Sequence, residues 1–243
     1  MTDSLIIIPT YNEKENIENI IIKIFSLEKL FHILIIDDGS PDGTADIVKK
    51  LQEKYPGKLY LEERSGKLGL GTAYIHGFKW ALNKDYKLIF EMDADFSHNP
   101  EDLIKLYNAT NLEGGDVSIG SRYVKGVNIV NWPMSRLLMS FFASKYVKLI
   151  TGMPIHDSTA GFKCYKRNVL QTIDLNKIQF IGYAFQIEMK FTAWKYGFNL
   201  VEVPVIFRDR TQGTSKMSSG IFMEAVLGVL EMKIKSFFRS WKR

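Results

Sequence analysis

Two apolar runs, Leu5 to Pro9 and Ile33 to Asp38, are each too short for a helix and give way to a polar turn and then a helical repeat. Ile17, Ile20, Ile21 and Ile24 fall at helical spacing after the first run. Ala45, Val48, Leu51 and Tyr55 do so after the second, where Asp-Gly-Thr starts the helix. A strand apolar at successive positions is buried on both faces, which a chain achieves by laying helices over a parallel sheet. Further strands are predicted at Lys58 to Glu63, Lys87 to Met92 and Asp116 to Gly120, with helices near Gly71 to Asn83 and Pro100 to Tyr107. The fold class is α/β: a Rossmann-like, mostly parallel sheet flanked by helices.

Beyond Trp132 the pattern changes to a long helix, PMSRLLMSFFASKYVKLITG, a mixed segment DSTAGFKCYKR, a helix over Ala184 to Tyr196 and a strand in NLVEVPVIF. No repeat, low-complexity tract or linker interrupts the chain. Residues 1–220 are expected to form one domain, with 221–243 an appended amphipathic basic helix. In parallel sheets ligands bind beyond the carboxyl ends of the strands, where this chain puts PTYNE, DDGSPDGT, DADFSHN and GSRY.

Asp37 and Asp38 are adjacent, so on a strand they point to opposite faces, whereas Asp93 and Asp95 share parity and can face one ligand. An oxygen-only pair in a loop suits Mg²⁺ or Mn²⁺ with phosphate oxygens and water; zinc would ask for His or Cys clusters that the chain lacks. The competing reading is that both acids cap the helix begun at Asn99 and Pro100.

IIIPTYNEKENI, IIDDGSPDGTAD, GLGTAY, EMDADFSHNPE, GSRY, DSTAGFKCYKR and RDRTQGTSKM, in this order and spacing, resemble family 2 glycosyltransferases of the GT-A fold. Within them, DADFSH with GSRY, NWPMSR and RTQGTSK most resembles the catalytic domain of polyprenyl (dolichyl) phosphate mannosyltransferases, over roughly residues 3–220. The resemblance implies that Pro9, Tyr11, Glu13, Ile36 and Asp38 line the nucleotide pocket. It implies that Asp93, Ala94 and Asp95 hold the diphosphate and its metal, with Ser97 where some relatives carry a glutamine ligand. Arg122, Arg136 and Ser140 would bind the acceptor phosphate, Arg210 and Lys216 would close over the donor, and Lys163 would also contact it.

The implied reaction is inverting transfer of mannose from GDP-mannose to a polyprenyl phosphate, with Asp95, Arg122, Arg136 and Arg210 as the catalytic set. Its chemistry is consistent without the family. Charge developing on a leaving nucleoside diphosphate must be met by a metal and by cations. A phosphate monoester is largely dianionic at pH 7 and needs no strong base, and arginine forks match its oxygens. Transfer of glucose or another sugar from a UDP donor is the alternative within the class. A nucleotidyltransferase would carry a glycine-rich basic loop in place of PTYNE, and a silent sugar-nucleotide sensor would not need the intact set of two aspartates and three arginines.

Some signals stay open. GKLGLGTAY lacks the ending of a phosphate loop and reads as a turn that lets a helix approach the nucleotide, or as a phosphate contact. His98 reads as a neighbour of the site or as a metal ligand, Glu188 as a base or a helical hydrogen-bonding group, and Asp157 and Thr159 as sugar-pocket or turn residues.

The charge excess is localised. Lys233, Lys235, Arg239, Lys242 and Arg243 supply +5 in the last eleven residues, equal to the net charge of the whole chain, which argues against a nucleic-acid-binding fold and for a basic terminus on an anionic surface. Met223, Val226, Leu227, Leu230, Ile234, Phe237, Phe238 and Trp241 fall on one side of a helix there; it either packs on the core or lies on a membrane, as does the MSRLLMSFFASKYVKLITG helix. No run of 18 uncharged apolar residues occurs, the N-terminus has no signal-peptide pattern, and one cysteine, Cys164, forbids an internal disulfide. The expectation is a peripheral protein on the cytoplasmic face of a membrane, and the resemblance allows a separate anchoring subunit.

Overall fold

The computed structural model describes residues 2–209 and 219–242. Leu5, Ile6, Ile7 and Ile8 of β1 (Ser4–Thr10) are fully buried, because β1 has strands on both sides and helices on both faces. Each such side chain contributes about 1.5–3 kcal/mol by leaving water. β1 pairs in parallel with β2 (His32–Asp37) and β4 (Leu88–Glu91), and β2 pairs in parallel with β3 (Leu59–Glu63). The connections run through α1 (Ile17–Phe25), α2 (Thr44–Lys54) and α3 (Leu70–Leu82). In α1 the buried residues are Ile17, Ile20, Ile21 and Ile24, as the spacing predicts.

Past α4 (Asp102–Asn111), β5 (Val117–Ser121) joins the sheet, but not beside β4. The strand between them is β7 (Lys163–Lys166), antiparallel to both, so the described sheet runs β3-β2-β1-β4-β7-β5-β8 with β8 (Leu200–Pro204) parallel to β5 at the edge. β7 comes from the mixed segment DSTAGFKCYKR, whose lysines conceal a strand. β6 (Ile129–Val130) and β9 (Phe207–Arg208) form a separate parallel pair, and α5 (Met134–Thr151), α6 (Arg167–Thr172) and α7 (Tyr183–Lys195) complete the catalogue up to α8 (Ser219–Phe238).

α3 packs unusually close to its neighbours. A Cβ on Gly77 would fall 2.7 Å from Ile7, and one on Gly71 would fall 2.8 Å from the Phe185 ring, while the Gly71 N–H donates to the Ile181 carbonyl at 2.8 Å. Gly71 of GLGTAY therefore lets α3 lie close against α7, and Gly77, beyond that motif, lets it lie close against β1. α8 packs on α5 and α7 through Val229, Met232 and Ser236, and the Tyr146 hydroxyl donates to the Val226 carbonyl at 3.0 Å. The expected apolar face is therefore mostly outward: Leu227, Leu230, Ile234, Phe237 and Phe238 are exposed. No helix among the described residues is long and apolar enough to cross a membrane.

Candidate active site

The ends of β1 and β2 are laced together by short polar side chains. Asp37 accepts from the Thr10 hydroxyl (2.8 Å) and from the Ser40 N–H (2.8 Å) and hydroxyl, so it is a staple between the two loops. The N–H groups of Asn12, Glu13 and Lys14 donate to Ser40, Thr44 and Asp42, fixing PTYNE against DDGSPDGT. Asp38 points the other way and accepts from Arg64 Nε at 2.7 Å; Arg64 also donates to Thr72 Oγ1 at 2.9 Å. Pro9, Tyr11 and Glu13 remain partly accessible along this edge, with the Lys67 ammonium 5.2 Å from the Tyr11 ring centroid. Ile36 has no accessible surface, and its side chain belongs to the core rather than to a pocket lining. The inward parity that makes β2 a good central strand removes it from the surface.

After β4 the chain turns sharply through Asp93, Ala94, Asp95, Phe96 and Ser97, with Phe96 at φ 58°. Asp95 is nearly buried and accepts from the Ser97 N–H at 3.0 Å, while the Asp93 side chain is 39% exposed and can meet a ligand. Ala94 and Ser97 are buried beside it. In the turn before α4 the Asn99 side chain accepts from the Glu101 N–H at 3.2 Å, and no side chain caps the helix itself, so neither aspartate serves that purpose. The Asp93 N–H donates to Nδ1 of His98, and the ring stacks on Phe162 at 4.8 Å. The fully buried Tyr74 of α3 donates to Asp93 Oδ1 at 3.4 Å. Desolvation raises the Asp93 carboxyl above its usual value, His98 opposing and Asp95 and Glu91 adding to it. Asp93, exposed, and Asp95, nearly buried, offer carboxylate oxygens of the kind a hard divalent cation takes, though no cluster of three such ligands is found among the described residues.

Arg122 follows β5 and lies on buried Asp157: Nε to Oδ2 2.7 Å, Nη2 to Oδ1 2.6 Å, with the Arg122 N–H also donating to Oδ2 at 2.9 Å. Nη2 reaches Thr159 Oγ1 at 2.7 Å. Burial alone would raise Asp157, but the guanidinium charge prevails and holds it below the usual carboxylate range. Asp157 and Thr159 thus hold an arginine. Arg136, in the first turn of α5, pairs with Asp209 at 2.9 Å and lies 4.1 Å from the Trp132 ring centroid, which is 5.4 Å from Arg122. Ser140 lies one turn further along α5, partly accessible. Phe207 of β9 meets His98 at 5.7 Å, Trp132 at 5.2 Å and Arg122 at 5.6 Å. One ring therefore connects the aspartate turn to the arginines.

Beneath the cleft lies a charged layer. Lys163 and Glu91, both without exposure, pair at 3.0 Å; Glu91 also accepts from Tyr165 and Gln186 at 2.9 Å, and Lys163 donates to Gln186. Lys163 of β7 is accordingly held by Glu91 and Gln186, without accessible surface. Lys190 is also fully buried and donates to the Ala160 carbonyl at 2.6 Å. Glu188 accepts from the N–H groups of Gln179 and Phe180 at 2.9 and 3.0 Å, the hydrogen-bonding role of its two readings. Arg210 and Lys216 lie outside the described residues. Arg64, Tyr74 and Phe207 are site residues that the motifs did not single out; Arg64 could have been suspected as a lone cation at the end of β3.

The mostly parallel sheet, with helices on both faces and the aspartate turn at the end of β4, defines an α/β fold of the GT-A type. The glycosyl transferase family 2 model matches residues 5–174, and the chain belongs to that family; it is a glycosyltransferase. It is 44% identical over 232 residues to the polyprenol monophosphomannose synthase of Mycolicibacterium smegmatis, covering 96% of this chain and 87% of that one. It is 42% identical to the undecaprenyl-phosphate mannosyltransferase of Micrococcus luteus, covering 93% and 91%. In fold it is similar to glucosyl-3-phosphoglycerate synthase of Mycobacterium tuberculosis bound to phosphoglyceric acid (TM-score 0.71, 14% identity, 94% of this chain and 79% of that one). It is also similar to the mannosyltransferase PcManGT of Pyrobaculum calidifontis bound to GDP-Man and Mn²⁺ (TM-score 0.59, 14% identity, 97% and 74%).

Proposed function

We propose that the protein transfers mannose from GDP-mannose to a polyprenyl phosphate, inverting the anomeric carbon and releasing polyprenyl phosphate β-mannose and GDP. The observation that supports this reading is the pair of arginines sharing the Trp132 ring, joined through Phe207 to His98 of the aspartate turn, since arginine forks suit phosphate oxygens. The names of the two relatives above 40% identity support the sugar and the acceptor class.

In this reading Asp93 and Asp95 hold Mg²⁺ or Mn²⁺, which when bound offsets charge on the departing diphosphate. Pro9, Tyr11, Glu13 and Asp38 receive the nucleoside, Asp38 being held in place by Arg64, and Ala94 and Ser97 shape the turn. Arg122, immobilised by Asp157 and Thr159, orients the acceptor phosphate with Arg136 and Ser140, and the phosphate competes with Asp209 for Arg136. The buried indole N–H of Trp132 and hydroxyl of Ser158, which have no hydrogen-bond partner among the described residues, leave polar capacity near these arginines. Arg210 and Lys216 are assigned to donor closure by motif alone. Residues 1–220 are the catalytic unit and the protein works peripherally on the cytoplasmic face of a membrane, alone or with an anchoring subunit.

The test is transfer of labelled mannose from GDP-mannose to a short polyprenyl phosphate in detergent, with and without each metal, beside a UDP-glucose arm. Metal-dependent transfer from GDP-mannose is expected, and Asp95→Asn should lower it about a hundredfold or more. Transfer from UDP-glucose only would overturn the donor, and full activity of Asp95→Asn would overturn the metal site.

A further inference from the structure

α5 has two faces of opposite character. At about 100° per residue, Arg136, Ser140, Ser144, Val147 and Thr151 fall on one side, and the last three are buried. Met134, Leu138, Phe142 and Leu149 fall on the other; Phe142 is 62% and Leu149 82% exposed. α8 repeats the arrangement. Val229, Met232 and Ser236 face the protein, while Leu227, Leu230, Ile234, Phe237 and Phe238 form the opposite stripe, with Phe238 87% exposed. Single exposed apolar residues are ordinary, but two such stripes on helices that touch each other mark a surface with a partner.

The charge on these helices identifies the partner. Residues 134–151 and 219–243 carry eight Lys or Arg against two Glu, so the remaining chain, with 24 against 25 acids, is close to neutral. Lys145 falls within the α5 stripe and exposed Lys235 lies on α8, while exposed Lys242 follows just past the end of α8 and Arg239 packs back on Tyr196. Two copies joined through these stripes would oppose cation to cation, which disfavours a homodimer. An anionic lipid surface takes up both the aromatic and aliphatic side chains and the surrounding charge.

We propose that the outward stripes of α5 and α8 together dock the protein on an anionic bilayer, with Phe142, Leu149, Phe237 and Phe238 entering the headgroup boundary. The same turns of α5 then hold Arg136 and Ser140 on the side away from the lipid, close above the plane in which a lipid phosphate lies. That last point rests on the acceptor proposed above; the docking itself does not.

The test uses the full chain and vesicles free of polyprenyl phosphate, made of phosphatidylcholine alone or of phosphatidylcholine with phosphatidylglycerol. Co-sedimentation is expected with the anionic vesicles only, reversed by salt. The double variants Phe142→Ser with Leu149→Ser, and Phe237→Ser with Phe238→Ser, should each weaken binding about tenfold or more. Lys145→Gln and Lys242→Gln should each weaken it about five-fold. Circular dichroism and turnover on a short acceptor in detergent should stay unchanged in all of them. Binding to both vesicle types that the variants leave untouched would overturn the proposal, as would a dimer in light scattering that the double variants dissolve. Vesicle binding without mannose transfer in detergent would overturn the proposed reaction and leave the docking surface standing.

Discussion

Asp157 has no exposure, and both its oxygens hold Arg122, so removing it strands a guanidinium that is itself nearly buried. Asp157→Ala should lower stability by about 3–5 kcal/mol in chemical denaturation, the cost of leaving a buried charge unpaired. Arg136 is partly exposed and needs no such support; Arg136→Ala should raise the apparent KM for the acceptor or lower turnover while nucleotide-sugar binding, measured by calorimetry, stays nearly intact. Loss of donor binding would refute the acceptor assignment. At this scale the turn that carries Asp93 and Asp95 was legible, because an apolar strand gives out just before it. Tyr74 and Phe207 were not, since an aromatic within a helical repeat or a two-residue strand carries no mark of what its edge will touch.

α3 depends on two glycines more than on its apolar repeat. A Cβ on Gly71 would lie 2.8 Å from Phe185 and 2.9 Å from the Phe180 carbonyl. Gly71→Ala should therefore destabilise by about 1–3 kcal/mol in urea, opposite in sign to the usual gain of alanine over glycine in a helix. The strands and helices of the first half could be read from periodicity, because each strand is an unbroken apolar run and each helix has one apolar face. β7 could not, since Lys163 and Lys166 interrupt it and its place is earned by ion pairing with Glu91. α8 shows the converse failure: its apolar repeat was plain, yet the repeat itself does not say which side turns inward, and the buried side is Val229, Met232 and Ser236.

Across the whole molecule, the sheet closes over ionised groups. Desolvation holds the ammonium of Lys190 well below its ordinary 10.5, Lys163 adds to this, Asp157 and Glu91 oppose it, and Arg122 lowers it further. The unfolded chain binds this proton more tightly, so between the lowered folded value and 10.5 stability should rise with pH. Lys190→Met lacks that proton. Its unfolding temperature relative to the parent should fall as the pH rises from 7 towards 10, and parallel pH curves would refute the shift. The sequence by itself determined the α/β alternation, the family motifs and the strand ends where polar residues gather, because these follow from local periodicity and residue order. Only the tertiary structure decided that β7 enters antiparallel between β4 and β5, that Asp157 and Glu91 each capture a cation, and that the apolar stripes of α5 and α8 face outward. These depend on which surfaces meet across long sequence separations, where burial and charge pairing are settled jointly and no local pattern encodes the partner.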